Sequence, residues 1–188
     1  MKVIDLDEKK VIDVDTIPKE KKELLIIIDM QNDFVTGSLA NKDAETMLPK
    51  MIMKLKKTKK DMIFTLDTHD KNYLNTQEGK NLPIEHCIKD TKGWHIVPQL
   101  AEFLGKAKFL AEKDTFGGFS LVTLSKDYDT IELIGVCTDI CVITNALMLK
   151  MFYPEKEIIV DKKCCAGTTK ANHNAAIKVL KSCQVTIK

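Results

Sequence analysis

The chain has 188 residues, 44% hydrophobic and 30% charged, with a formal net charge of +2. That is the size and balance of one globular domain with a full core, and it excludes a disordered or fibrous chain. All 29 basic residues are lysine, which argues against nucleic acid as a partner and against a multiply carboxylated substrate, because the planar arginine fork that grips such groups is missing.

The six cysteines are too sparse for a disulfide scaffold. No secretory leader or membrane-spanning apolar run is visible. The expected compartment is therefore a reducing cytoplasm, with no membrane partner.

In chain order, residues 1–23 contain a near-repeat, Val3-Ile4-Asp5-Leu6-Asp7 and Val11-Ile12-Asp13-Val14-Asp15, joined by a polar turn. Alternation on both sides of a short turn predicts a β-hairpin arm, leaving 24–188 as the main domain. Leu24 to Ile28 is a continuous apolar run, the signature of a central parallel strand buried on both faces. It ends on Asp29, where open α/β sheets place their chemistry, although an aspartate there can equally cap a loop.

The spacing of Met47, Leu48, Met51, Ile52 and Leu55 predicts a helix over 44–60, with its lysines on a solvated face. Met62 to Leu66 is a second strand, followed by Asp67-Thr68-His69. Seventeen residues on comes His86, inside a long connection (68–97) with little periodic pattern, and loops of that length tend to be functional. One carboxylate and two imidazoles suit an open divalent-metal site for zinc, iron or manganese. A capping aspartate with two surface histidines would explain the same residues.

Ala107 to Lys113 is a third strand, ending on a lysine, and a turn with paired glycines leads to a short helix from Ser120. Tyr128 to Ile134 gives a fourth strand, Glu157 to Val160 a fifth and Val185 to Ile187 a sixth. Helices are expected over 143–150 and 171–181. Cys164, Cys165 and Cys183 read as core or loop thiols, and His173 as structural or surface. Between the fourth strand and its helix lies Gly135-Val136-Cys137-Thr138-Asp139-Ile140-Cys141-Val142. A thiol at a helix start feels the positive end of the helix dipole, which favours thiolate, while Asp139 opposes it. Taken alone, Cys141 is equally well a small buried hydrophobe.

Alternating strands and helices imply an α/β fold, a doubly wound parallel sheet with helices in the layers on either side. Asp29, Asp67, His69, Lys113 and Cys141 then all stand at carboxyl ends of strands, on one rim. Five chemically capable residues sharing a rim point to a catalytic site.

From Leu24 to the C-terminus the chain resembles the isochorismatase-like cysteine hydrolases. The resemblance rests on Asp29 in Ile-Ile-Asp-Met-Gln-Asn-Asp-Phe, Lys113 in Glu-Lys-Asp-Thr-Phe, and Cys141 in Gly-Val-Cys-Thr-Asp-Ile-Cys-Val. It implies a three-layer, six-stranded sheet of order 3-2-1-4-5-6 and an Asp29–Lys113–Cys141 triad. It further implies a cis peptide between Val136 and Cys137, and an oxyanion hole from the backbone N–H groups of Cys137 and Cys141. Asp67, His69 and His86 are similar to the metal ligands of the nicotinamidase branch.

That resemblance makes the expected activity a cysteine-nucleophile amidase on a small amide, with a divalent metal, zinc first. Nicotinamide deamidation, a step of NAD salvage, leads; another amide, carbamoyl or ureido compound is the alternative, and a non-catalytic metal-binding or redox protein the third reading. Phe34 is a candidate to stack on a flat substrate. A homo-oligomer, dimer or tetramer, is implied by the family. The chain departs from the nicotinamidase pattern in one region: Leu82-Pro83 stands where a tryptophan-proline pair is usual, the only tryptophan is Trp94, and Asn75 lies near a further histidine of some members.

Overall fold

Leu24, Leu25, Ile26, Ile27 and Ile28 are all fully buried, as a strand covered on both faces must be. They form β3 (Glu23–Ile28), the strand against which the others are ordered. The computed structural model describes residues 2–5, 10–13 and 21–188. Within them, β1 (Lys2–Asp5) and β2 (Lys10–Asp13) pair antiparallel with Lys2 opposite Asp13, as the near-repeat predicts. Asp7 and Asp15 lie outside the described residues.

The main sheet adds β4 (Asp61–Asp67), β5 (Phe109–Lys113), β6 (Thr130–Val136), β7 (Glu157–Ala166) and β8 (Thr186–Ile187). All its pairings are parallel and its order is β5-β4-β3-β6-β7-β8, which is 3-2-1-4-5-6 counted from β3. Helices cover both faces. β3 and β6 are neighbours although far apart in sequence, so the order reverses between them. The rim beyond that pair is the switch-point crevice of an open α/β sheet. Gly135 stands where β6 passes β3, at φ +122°. A Cβ there would collide with the carbonyl of Ile28, so only glycine admits this approach.

α1 (Asn32–Val35) follows β3 directly, and α2 (Lys42–Lys57) follows α1. Asn41 caps α2, accepting from the N–H groups of Asp43 and Ala44, and Met47, Leu48, Met51 and Leu55 are buried, as their spacing predicts. The lysine face departs from expectation. Lys54 and Lys60 are not simply solvated: their ammonium groups lie 2.6 and 2.8 Å from the carboxylate of Glu132, in mid-β6 and 1% exposed. A buried carboxylate requires such partners, and the long lysine stems reach it from α2 (Lys54) and from the turn between α2 and β4 (Lys60).

α3 (Gln77–Asn81) lies in the 68–97 connection, α4 (Ala101–Leu104) precedes β5, and α5 (Ser120–Leu124) starts where the sequence places it. β7 runs six residues beyond the expected Val160, which makes Cys164 and Cys165 strand residues. The polar Asp161-Lys162-Lys163 interrupts its apolar pattern and hid that extension. α6 (Ile143–Phe152) and α7 (Lys170–Ser182) close the domain. No helix of the described residues is long and apolar enough to cross a membrane.

Candidate active site

Asp29 leaves β3 with φ +48°, a left-handed conformation that aspartate tolerates better than most residues. Its backbone N–H donates to Thr65 Oγ1 at 3.1 Å, and the Thr65 hydroxyl donates to its Oδ1 at 2.6 Å. The carboxylate is thereby fixed, fully buried, over the end of β4. Lys113 closes β5, itself 5% exposed. Its Nζ lies 2.8 Å from Asp29 Oδ2, 2.9 Å from Asp67 Oδ1 and 3.5 Å from Cys141 Sγ. The Oδ2 contact is close without hydrogen-bond alignment, so that oxygen stays open to a further donor.

Cys141 sits in a π-helical turn, Thr138–Val142, inserted between β6 and α6, where the sequence predicts an ordinary first helical turn. The wide turn is closed by Val142 N–H donating to Cys137 O at 3.1 Å; such turns cluster at functional sites. The Val136–Cys137 peptide is cis. Asn145, fully buried, donates to Cys141 O and Phe116 O and accepts from Gly118 N–H. It ties the paired-glycine loop to the turn that carries Cys141.

One ammonium faces three potential anions. Burial, with the Asp29 charge next, pushes the Cys141 thiol well up against the pull of Lys113. Burial likewise raises the Asp29 carboxyl, with Lys113 lowering it and Asp67 raising it. For Lys113 burial opposes the charge, but Asp29, Cys141 and Asp67 outweigh it and the group stays an ammonium. Burial therefore works against the Cys141 thiolate that a helix start favours, and Lys113 works for it. The Cys137 thiol is pushed to about 12 by burial and by Asp139 and Asp29, so it stays protonated.

Asp67 ends β4 with its second oxygen facing two imidazoles: Oδ2 lies 3.1 Å from His69 Nε2 and 3.7 Å from His86 Nε2. All three residues are buried, with ligand atoms within 4.8 Å of one another. This donor set fits a divalent metal with open positions. His86 Nδ1 donates to Ile84 O at 2.9 Å, which leaves Nε2 as the ligating atom. Burial works to raise the Asp67 carboxyl, but hydrogen bonds from His69 and His86 and the charge of Lys113 take it well below its ordinary value.

Several residues that sequence reading left without a role hold this cluster. Glu78 Oε1, from α3, lies 3.9 Å from Nε2 of both histidines and is a further oxygen donor within reach. Tyr73, fully buried, packs its ring 4.7 Å from His69 and 4.9 Å from His86. Gln31 holds Asp67 at the backbone: its Oε1 accepts from Asp67 N–H, and its Nε2 donates to Asp67 O and Trp94 O. Asp33 Oδ2 accepts from Cys87 N–H at 2.8 Å, fixing the chain beside His86. Gln31 and Asp33 lie inside the motif around Asp29, and that proximity was the available signal.

A cavity of about 890 Å³ opens on this rim. Asp67, Glu78, His86, Cys137 and Cys141 line its reacting end, and Phe34, Leu82 and Phe116 its apolar walls. Phe34 lies 5.6 Å from the His86 ring. Trp94 is no part of the wall; its Nε1 donates to Thr68 Oγ1. Every sequence-predicted site residue thus gathers at one end of β3, β4, β5 and β6.

The family model for the isochorismatase domain matches residues 23–188. The chain belongs to the isochorismatase family. Among curated relatives of this family member, an isochorismatase family protein named PncA from Bacillus subtilis (strain 168) is 28% identical over 172 residues, covering 83% of this chain and 92% of the relative. Among solved structures, the pyrazinamidase of Pyrococcus horikoshii in complex with zinc superposes with TM-score 0.76 at 25% identity, covering 89% of this chain and 98% of that one. The pyrazinamidase/nicotinamidase of Streptococcus mutans UA159 gives 0.77 at 27% identity, covering 89% and 100%.

Proposed function

We propose that the chain is a metal-containing amidase that uses Cys141 as nucleophile, with nicotinamide the leading substrate. The observation that carries this reading is that Lys113 bridges Asp29 and Asp67 within 3.5 Å of Cys141, so nucleophile, base and metal cluster share one ion-paired unit. The likeness to nicotinamidase and pyrazinamidase structures supports the same class.

In this mechanism Asp29 takes the Cys141 proton as the thiolate attacks the amide carbonyl, and Lys113 keeps the resulting charges compatible. N–H groups of Cys137 and Cys141 steady the oxyanion. Asp29 returns the proton to the leaving ammonia, leaving a thioester at Cys141. Asp29 then draws a proton from water, which attacks the thioester; the acid leaves and the thiol is restored. Asp67, His69 and His86 would hold the metal, zinc first, with Glu78 in reach. Bound there, the ion supplies a Lewis acid that orients a ring nitrogen or lowers the pKa of water. Phe34 stacks on a planar substrate.

A second reading, a larger small amide or a ureido compound, is favoured by one observation. The cavity, at about 890 Å³, is generous for a single pyridine ring, and leucine stands in its wall with the tryptophan outside. Isochorismatase chemistry proper is disfavoured, since it needs no cysteine and its dicarboxylate substrate suits arginine.

The test is ammonia release from nicotinamide, pyrazinamide and a panel of larger amides and ureido compounds, with and without chelator. Release from nicotinamide that is lost in Cys141→Ala is the expected result. Release only from other compounds sinks nicotinamide, and none from any compound sinks the amidase reading. Catalysis in the cytoplasm, by a homo-oligomer and as a step of NAD salvage, belongs to the same proposal, as does the division into an arm (1–23) and a catalytic domain (24–188).

A further inference from the structure

Behind the nucleophile's turn lies a second concavity, of about 400 Å³. Lysines from three elements line it: Lys50 from α2, Lys162 and Lys163 from β7, and Lys170 from the first turn of α7. One carboxylate, Asp43, faces them. Among the described residues none of these four lysines forms an ion pair, whereas Lys54, Lys60 and Lys113 all do. Four lysines lining one concave surface against one carboxylate give it a positive potential that favours an anion. The first turn of the thirteen-residue α7 adds its dipole at the same place.

A second observation concerns His173, which lines the cavity at 8% exposure. Its Nδ1 lies 2.8 Å from Thr138 Oγ1, and among the described residues its Nε2 has no hydrogen-bond partner. Burial and the nearby Lys170 hold its pKa below the ordinary value, as expected of a neutral imidazole among cations. The cavity floor also touches the nucleophile's turn. A Cβ on Gly167 would stand 2.7 Å from Asp139 Oδ1 and 2.8 Å from the backbone N of His173, so the two segments are in direct contact.

We propose that this lysine-lined cavity is a binding site for a small phosphoryl anion, the phosphate-bearing part of a soluble metabolite, with the buried His173 among its polar groups. The concave shape and a volume within the usual range of small-ligand sites, about 300–1,000 Å³, favour a small anion over a flat lipid surface. Ammonium groups serve phosphate well as point charges even without arginine. The site borders the amide cavity at Asp43, which lines both, but it contains none of Asp29, Lys113, Cys141, Asp67, His69 or His86, so this inference does not depend on which amide is the substrate.

The experiment titrates the full chain with inorganic pyrophosphate at low salt, read by calorimetry and by the ring-nitrogen resonances of His173. Saturable binding that shifts those resonances is expected. The K162Q/K163Q double variant should bind roughly tenfold or more weakly, from two lost charge-assisted contacts. The K56Q/K57Q variant, with the same net charge but outside the cavity, should bind as the parent does. Absence of saturable binding overturns the proposal, and so does equal weakening by the two variants, which would mean diffuse surface charge. Association with phosphoinositide vesicles without pyrophosphate binding would likewise overturn it, by assigning the lysines to a lipid headgroup.

Discussion

Asp67 gives its two oxygens to different chemistry: Oδ1 lies 2.9 Å from Lys113 Nζ, and Oδ2 lies 3.1 Å from His69 Nε2. The Asp29–Lys113–Cys141 group and the Asp67–His69–His86 cluster are therefore joined through one carboxylate. Its charge also helps to raise the Cys141 thiol. In chelated protein, Asp67→Asn removes that anion, and the thiol pKa falls. Iodoacetamide should then alkylate Cys141 faster at neutral pH in the variant than in the parent, while metal affinity drops about 100-fold or more. Alkylation rate against pH, with metal analysis, checks both.

Lys113→Met acts in the opposite direction on the thiol. Without the ammonium, Asp29 and Cys141 lose the cation that faces both of them, and the thiol and Asp29 both rise further. Activity should fall by roughly 10³-fold and alkylation at neutral pH should slow. A buried ion pair broken on one side costs about 3–5 kcal/mol, measurable by urea denaturation. An unchanged alkylation profile would remove Lys113 from the thiol's activation.

For the metal cluster the measurement is elemental analysis of the purified chain. One divalent ion per chain is expected, lost in His86→Ala. Glu78→Gln should retain the ion but weaken it by roughly 10- to 100-fold, because its carboxylate approaches both imidazoles from one side. Chelation should abolish amide hydrolysis, with activity restored by adding zinc, iron or manganese back.

Glu132 supplies a pH-dependent stability prediction away from the site. Burial works to raise its carboxyl, but hydrogen bonds and charges from Lys54 and Lys60 more than offset it, so its pKa lies below 4.5. A carboxyl depressed on folding stabilises fully above its unfolded pKa, and that contribution is lost as pH falls through the folded value. Glu132→Gln should therefore cost about 1–3 kcal/mol at neutral pH. The gap between variant and parent should close as pH falls below 4.5, as thermal melts at several pH values will show.

Sequence reading recovers what periodicity and strand ends encode. The six strands and the rim carrying Asp29, Asp67, His69, Lys113 and Cys141 follow from apolar runs ending on reactive residues, whereas the strand order, with its reversal between β3 and β6, comes from the family resemblance. It misses contacts between a side chain and a distant backbone, which leave no periodic trace. Gln31 holds Asp67 across 36 positions, and Asn145 reaches Gly118 across 27. The role of Lys54 and Lys60 is hidden for a similar reason, because in the sequence a lysine looks the same whether it ends in water or at Glu132. The burial that opposes a Cys141 thiolate is likewise visible only in the folded chain.

Gln31 has a consequence for how this site can change. Its one amide hydrogen-bonds the backbone at Asp67 and at Trp94, so the long segment that contributes Glu78, Leu82 and His86 is a hoop fastened at both feet to a single buried peg. The middle of a hoop can be rewritten while its feet stay planted. Substitutions at Asn81 and Leu82, which line the cavity between those feet, can therefore reshape its wall, and with it the substrate choice of the proposed amidase, while the carboxylate and Lys113 keep their places.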